Sequence, residues 1–157
     1  MVKMIVAVGP NWLIGKGNKL AWKNPVELAF FRRMTLGQSL LWGQNTFANL
    51  PGRLTDRTHY VLSDRPLKNA DHILNSTDQV VKLFKKFDQD QKDIFISGGK
   101  SVYEQFYPYA QEIYVSQVDT KAQGDVFLKI DLSKHRKDLF FRGDGFEVFL
   151  YRKKFDG

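Results

Sequence analysis

The sequence predicts an α/β fold: a single domain over residues 1–157, with a central mixed, mostly parallel sheet flanked by helices and an antiparallel C-terminal hairpin. Three observations predict it. Short continuous apolar runs, Met4-Ile5-Val6-Ala7-Val8 first among them, suit strands buried on both faces. These runs alternate with segments of helical period, the pattern of sheets with helical crossovers. The last third changes character, since two alternating runs flank Arg142-Gly143-Asp144-Gly145, a hairpin turn signal.

The elements follow in order. After the first strand comes a loop, 9–24, rich in Gly, Asn and Lys, and loops of that length without structure of their own are uncommon and often functional. Asn24 and Pro25 announce a helix over 25–36, because Asn accepts from free N–H groups at a helix start and Pro suits the first helical position; Gly37 stops it. Ser39-Leu40-Leu41-Trp42 reads as a second buried strand, followed by Gly43 and a short helix from about Asn45. His59-Tyr60-Val61-Leu62 and His72-Ile73-Leu74 read as strands. Ser76 or Thr77 caps a helix on which Val80, Val81, Phe84 and Phe87 keep a helical period. Asp93-Ile94-Phe95-Ile96 is a further strand, closed by Gly98-Gly99 and followed by a helix from Lys100 to about Tyr107. Residues 113–118 form the strand before the hairpin.

Composition narrows the function. The length of 157 residues suits one domain with a sizeable core, and 43% hydrophobic with 26% charged residues is ordinary for a globular protein. There is no cysteine, which removes disulfides, cysteine nucleophiles and cysteine metal sites. No run approaches the ~20 apolar residues of a membrane helix, and the start does not read as a signal peptide, so a cytoplasmic protein without membrane contact is expected. The net charge of +7, from 24 basic and 17 acidic residues, favours anionic partners, phosphorylated cofactors and polycarboxylates included. The basic residues are scattered and do not interleave with aromatics, so nucleic acid is not expected as a partner. His59, His72 and His135 show no metal-ligand spacing and read as strand or surface residues.

One acid stands out. Glu27, Leu28, Phe31 and Thr35 fall along one stripe of the first helix, and a carboxylate on an apolar stripe is costly to bury without a polar partner. Two readings stay open at this point. Asn24-x-x-Glu27 is a capping box, in which the acid bonds back to the cap residue; or a ligand supplies the partner. Elsewhere, Gly43-Gln44-Asn45-Thr46 and Ser97-Gly98-Gly99-Lys100-Ser101 both lie between a strand and a helix, where α/β sheets bind ligands. Two such turns in one basic domain make a dinucleotide plausible, although no Rossmann or P-loop fingerprint is present.

The chain resembles dihydrofolate reductases over nearly its whole length. The matches, in order, are Ile5-Val6-Ala7; Ile14-Gly15 with Asn18 and Trp22; Pro25-x-Glu27-Leu28 with Phe31; Gly43-x-x-Thr46; Leu54 with Arg57; Leu62-Ser63; Gly98-Gly99-x-x-Val102-Tyr103; and Gly124-Asp125 with Phe127. The resemblance implies reduction of 7,8-dihydrofolate to tetrahydrofolate, with hydride from NADPH to pterin C6 and a proton at N5. It casts Glu27 as the active-site acid holding the pterin by a fork of two charge-assisted bonds. Trp22 would hold a water and Ser116 would hydrogen-bond the acid. Ile5, Ala7, Leu28, Phe31, Leu54 and Ser97 would line the substrate, and Arg57 would clamp the carboxylate of its tail. Ala7, Ile14, Gly15, Asn18, Leu20, Gly43, Gln44, Asn45, Thr46, Leu62, Ser63, Asp64, Arg65, Gly98, Gly99, Lys100, Ser101, Val102 and Tyr103 would bind the cofactor. The 9–24 loop would be a lid, the Gly98–Gly99 peptide would be cis, no metal is implied, and a monomer open to antifolate inhibitors is expected.

The chain also departs from the family's pattern. Gln44-Asn45 stands where a basic residue usually meets the cofactor's 2′-phosphate, and Asp64 would repel that phosphate, with Arg65 adjacent as a substitute. NADPH is expected, with NADH use more open than usual. Ala21 replaces a usual Pro, which should loosen the lid. Trp42 replaces a smaller apolar residue, and the Ser97 hydroxyl is expected to add a polar group beside the two pockets. Two alternatives compete: a pyrimidine reductase of riboflavin synthesis, which lacks the Trp22, Glu27 and Arg57 set, and a basic nucleic-acid-binding domain.

Overall fold

Alternation along the first strand sorts the interior into two cores. Val2, Met4, Val6 and Val8 join one apolar cluster and Ile5 the other, so the strand is buried on both faces, as its unbroken apolar run requires. The structure is a computed structural model that describes residues 1–15, 22, 24–52 and 54–154. Its strands are β1 (Val2–Val8), β2 (Leu13–Gly15), β3 (Ser39–Gly43), β4 (Thr58–Leu62), β5 (His72–Leu74), β6 (Ile94–Ile96), β7 (Glu112–Val118), β8 (Val126–Phe127), β9 (His135–Gly143) and β10 (Phe146–Lys153). Eight of them form one sheet in the order β5-β4-β3-β6-β1-β7-β10-β9. The pairings from β5 through to β7 are parallel, and β10 runs antiparallel to both β7 and β9. The expected mixed, mostly parallel sheet with its antiparallel hairpin is what the chain forms.

Helices cover both faces. On the Met4 face, α3 (Thr77–Gln89) buries Val80, Phe84 and Phe87, while α4 (Lys100–Phe106) buries Val102, Tyr103 and Phe106. On the Ile5 face, α1 (Pro25–Thr35) buries Phe30 and α2 (Gln44–Ala48) buries Phe47. Ser76 caps α3 by accepting from the Gln79 N–H at 3.3 Å. Asn24 caps α1 by accepting from the Val26 and Glu27 N–H groups at 3.0 and 3.1 Å. The other end of the Asn24 amide donates to Asp144 O at 3.3 Å, which ties the helix start to the hairpin turn.

Two expectations change. Part of the predicted 9–24 loop is ordered: a 3-10 turn at Pro10–Trp12 leads into β2, which pairs with β8. Both strands are too short to carry a periodic signal. Their approach depends on Gly124, where a Cβ would collide with Gly15 O. The stripe on α1 is also different, because Phe30 and Thr35 are buried whereas Leu28 is 41% exposed. Phe30 wins the inner position by stacking on Phe141 at 5.4 Å and meeting Phe146 at 6.1 Å. Among the described residues no helix is long and apolar enough to cross a membrane.

Candidate active site

A parallel sheet delivers the carboxyl ends of its strands to one edge. Here that edge collects Ala7 from β1, Gly43 from β3, Leu62-Ser63 after β4, Ser97-Gly98-Gly99 after β6 and the end of β7. On the Ile5 face, Ala7 pairs with Ser116, and Ser116 with Val148. The helix α1 brings Glu27 to the same face, at its third position.

Glu27 sits without a partner. Neither carboxylate oxygen accepts a hydrogen bond or meets a cation among the described residues, and burial pushes its carboxyl from the usual 4.5 up to about 7. The capping box is therefore half made: Asn24 caps the helix, and the return bond from Glu27 to the Asn24 N–H is absent. The direct bond expected between Ser116 and Glu27 is also not formed. Ser116 is held by pairing on both sides within the sheet, buried at 1% exposure, while Glu27 rides on the helix above.

Behind the acid, two carbonyls converge. Tyr103 Oη lies 2.9 Å from both Ile5 O and Ser97 O. One phenolic proton is thus shared between two acceptors, which holds the two carbonyls together. Burial and, after it, the charge of Glu27 hold the Tyr103 hydroxyl above its ordinary pKa, so the acid acts within electrostatic reach of this pair. The Ser97 hydroxyl, expected to add a polar group beside the two pockets, has its proton engaged. It donates back to Phe95 O at 3.0 Å and is satisfied inside its own strand end. Trp22 is buried beside Ile5, Leu13 and Phe30, and a Cβ on Gly9 would approach its ring at 3.4 Å. Leu28 and Phe31 follow Glu27 on α1, exposed and half-buried respectively.

Arg57 is fixed from three directions. Its Nε donates to Thr35 Oγ1 at 3.2 Å, and its two terminal nitrogens donate to Thr55 O at 2.7 Å and Arg32 O at 2.5 Å. Guanidinium has five N–H donors, so a rigid pair remains for an anion. Thr35 is the anchor that the sequence did not single out as such. It is fully buried and donates to Phe31 O at 2.9 Å, leaving its lone pairs for Arg57. Leu54, half-buried, shares with Phe47, Leu50, His59 and Leu67 a cavity of about 360 Å³ that does not include Glu27, Leu28 or Phe31.

The two glycine turns meet. Gly43 N–H donates to Gly98 O at 2.8 Å, and the Gly98–Gly99 peptide is cis, as the resemblance implies. Side chains are shut out of this junction: a Cβ at Gly43 would lie 3.1 Å from Val102 Cγ2, and one at Gly99 would run into Thr46 Oγ1. Such a bare, backbone-lined junction at a strand edge fits the close approach of a dinucleotide. Asn45, Lys100 and Ser101 flank it, with Lys100 paired to Glu104 at 3.9 Å. Ile14 and Gly15 stand on β2, whereas Asn18, Leu20 and Ala21 lie outside the described residues.

At the far end the polar groups satisfy one another. Gln44 Oε1 accepts from Ser63 Oγ at 2.9 Å and from Asp64 N–H at 3.0 Å. Ser63 Oγ accepts from Arg65 N–H at 3.1 Å and lies 2.6 Å from Arg65 O. The Asp64 and Arg65 side chains are exposed.

A parallel sheet that gathers bare glycine turns and one desolvated carboxylate at its carboxyl edge defines a class, the small α/β oxidoreductases that use a dinucleotide. The comparisons narrow it further. The family profile of dihydrofolate reductase matches residues 1–138. The dihydrofolate reductase of Mycoplasma genitalium is 37% identical over 162 residues, covering 98% of this chain and 99% of its own. That of Mycoplasma pneumoniae is 36% identical over 160 residues, covering 98% of each. A solved structure of dihydrofolate reductase from Enterococcus faecalis, complexed with NADP(H) and RAB-propyl, is similar with a TM-score of 0.83 at 24% identity, covering 98% of this chain and 96% of that one. The chain belongs to the dihydrofolate reductase family.

Proposed function

We propose that this protein reduces 7,8-dihydrofolate to 5,6,7,8-tetrahydrofolate with NADPH, acting as a monomer of one catalytic domain, residues 1–157, in the cytoplasm. The observation that carries the reading is the partnerless, desolvated Glu27 over the carboxyl edge of the sheet. When bound, NADPH supplies the hydride. The chain does the rest. Glu27 takes the paired N–H groups of the pterin as a bidentate fork, and that ligand favours the ionised acid which burial alone disfavours. Leu28, Phe31 and Leu54 hold the pterin and benzoyl rings, and Arg57 takes the tail carboxylate with the donors that Thr35, Thr55 and Arg32 leave over. Trp22 holds the water that brings a proton to N5, and Ser116 supports the acid's neighbourhood. The junction of Gly43 through Thr46 with Gly98 through Tyr103 holds the dinucleotide, with Ala7, Ile14 and Gly15 toward the nicotinamide and Leu62 through Arg65 toward the adenosine.

The test follows NADPH oxidation with dihydrofolate, with and without the antifolate methotrexate. Methotrexate-sensitive turnover is expected. Consumption of NADPH that needs no dihydrofolate, or none at all, would overturn the proposal.

A further inference from the structure

Leu54 and Arg57 lie on one short segment of irregular backbone between α2 and β4. Its Arg57 end is pinned to α1 by the three bonds above, and Asp56, at φ +61°, gives its carbonyl to the Gly37 N–H at 2.8 Å. The Leu54 end is pinned by a different device. Leu54 O lies 2.8 Å from His59 Nε2, and Trp42 Nε1 lies 3.0 Å from His59 Nδ1.

The partners dictate where the imidazole proton sits. An indole N–H can only donate, so Nδ1 accepts; a carbonyl can only accept, so Nε2 carries the hydrogen and donates it. Trp42 and His59 are 3% and 2% exposed, which shields both bonds from bulk water. The imidazole is seated further by Phe47, whose ring centroid is 5.3 Å away, and the residue's backbone N–H donates to Asp71 Oδ2 at 2.7 Å. Indole, imidazole and carbonyl thus form one directed chain from the middle of the sheet to the segment that carries Leu54.

We propose that His59, locked in one tautomer by Trp42, is a positioning residue that fixes the spacing between the Leu54 wall and the Arg57 fork. The inference rests on the function proposed above. If Leu54 O moved away, the Nε2–H would lose its partner in a buried place, so the wall stays in register with the clamp. A side chain without a donor at 59 releases that carbonyl, and substrate binding weakens while the junction that holds the dinucleotide keeps its own bonds. A merely structural histidine would lower stability and move both Michaelis constants together.

The experiment compares the wild type with His59→Phe, His59→Gln and Trp42→Phe, each checked for folding by circular dichroism. His59→Phe keeps the ring and removes both bonds, and its KM for dihydrofolate is expected to rise roughly five- to tenfold with KM for NADPH unchanged. His59→Gln retains an acceptor and a donor and is expected to stay within about twofold of wild type. Trp42→Phe removes only the orienting donor and is expected to fall between them. An unchanged dihydrofolate KM in His59→Phe, a parallel rise in both constants, or a His59→Gln as impaired as His59→Phe would overturn the inference. Nitrogen NMR of the imidazole gives a readout independent of turnover: a single Nε2–H tautomer in wild type supports the lock, and a mixture refutes it. A wild type without dihydrofolate turnover would refute the proposed function instead, so the two failures are separable.

Discussion

Glu27 and Gln44 stand at opposite ends of the candidate site, and the chain treats them in opposite ways. The carboxylate of Glu27 is buried with no partner among the described residues, and its proton is held up to about pH 7. The amide oxygen of Gln44 is already engaged, taking both Ser63 Oγ and Asp64 N–H. An unpaired buried acid is a debt that a ligand settles, so binding there gains strength and specificity. A ligand group that seeks that oxygen must compete with bonds that exist. On the proposed function, the pterin end is left for its ligand to complete, and the adenosine end already holds bonds of its own. Selectivity should be sharp at the first and slack at the second.

The largest expected effect tests the sharp end. Glu27→Gln should lower kcat/KM for dihydrofolate by about 100-fold or more, since a neutral amide can neither pair with nor polarise the pterin as a carboxylate does; steady-state kinetics near pH 7 measures it, and an undiminished rate would break the contrast. The same change should stabilise the ligand-free protein. The folded pKa of about 7 lies above the unfolded 4.5, so the acid's contribution is intact below about pH 4.5 and is lost as pH rises through about 7. The loss tends to about 3 kcal/mol above pH 8, a span of roughly 2.5 pKa units. Thermal melts at about pH 4 and pH 8.5 should show wild type falling behind Glu27→Gln only at the higher pH.

Arg57→Leu should raise the KM for dihydrofolate by roughly ten- to thirtyfold, the worth of a charged bidentate contact. A truncated substrate without the tail carboxylate should be insensitive to the change, which localises the effect. The smallest expected effect tests the slack end. Asp64→Asn should raise the preference for NADPH over NADH by only about threefold, and added salt should erase most of it, because Asp64 is exposed. A wild type that already rejects NADH strongly would show that the adenosine end is sharper than its bonds suggest.

Much of this was legible from residue types in order. The unbroken apolar run of β1 and the Asn24-Pro25 start of α1 follow from local rules, and both formed where those rules put them. The rest depended on contacts between distant residues. Leu28 and Phe30 look interchangeable on a helix until the hairpin supplies Phe141 and Phe146 to one of them. Ser97 looked like a free hydroxyl in the glycine turn, and a bond to a carbonyl two residues back uses it. His59 read as an ordinary strand histidine, because nothing local reveals that register places it opposite Leu40 with Trp42 Nε1 in reach. β2 and β8 are three and two residues long, below the length at which alternation can be recognised.

The bond from Asn24 to Asp144 spans 120 residues of chain. Phe30, on the helix that carries the acid, rests on Phe141 and Phe146, and β10 lies inside the sheet between β7 and β9. During synthesis, then, the helix emerges early, and the part of its support that Phe141 and Phe146 supply follows only when the hairpin leaves the ribosome. A nascent chain stalled before residue 146 would carry every proposed catalytic group while lacking Phe146 and β10, part of the surface behind the helix.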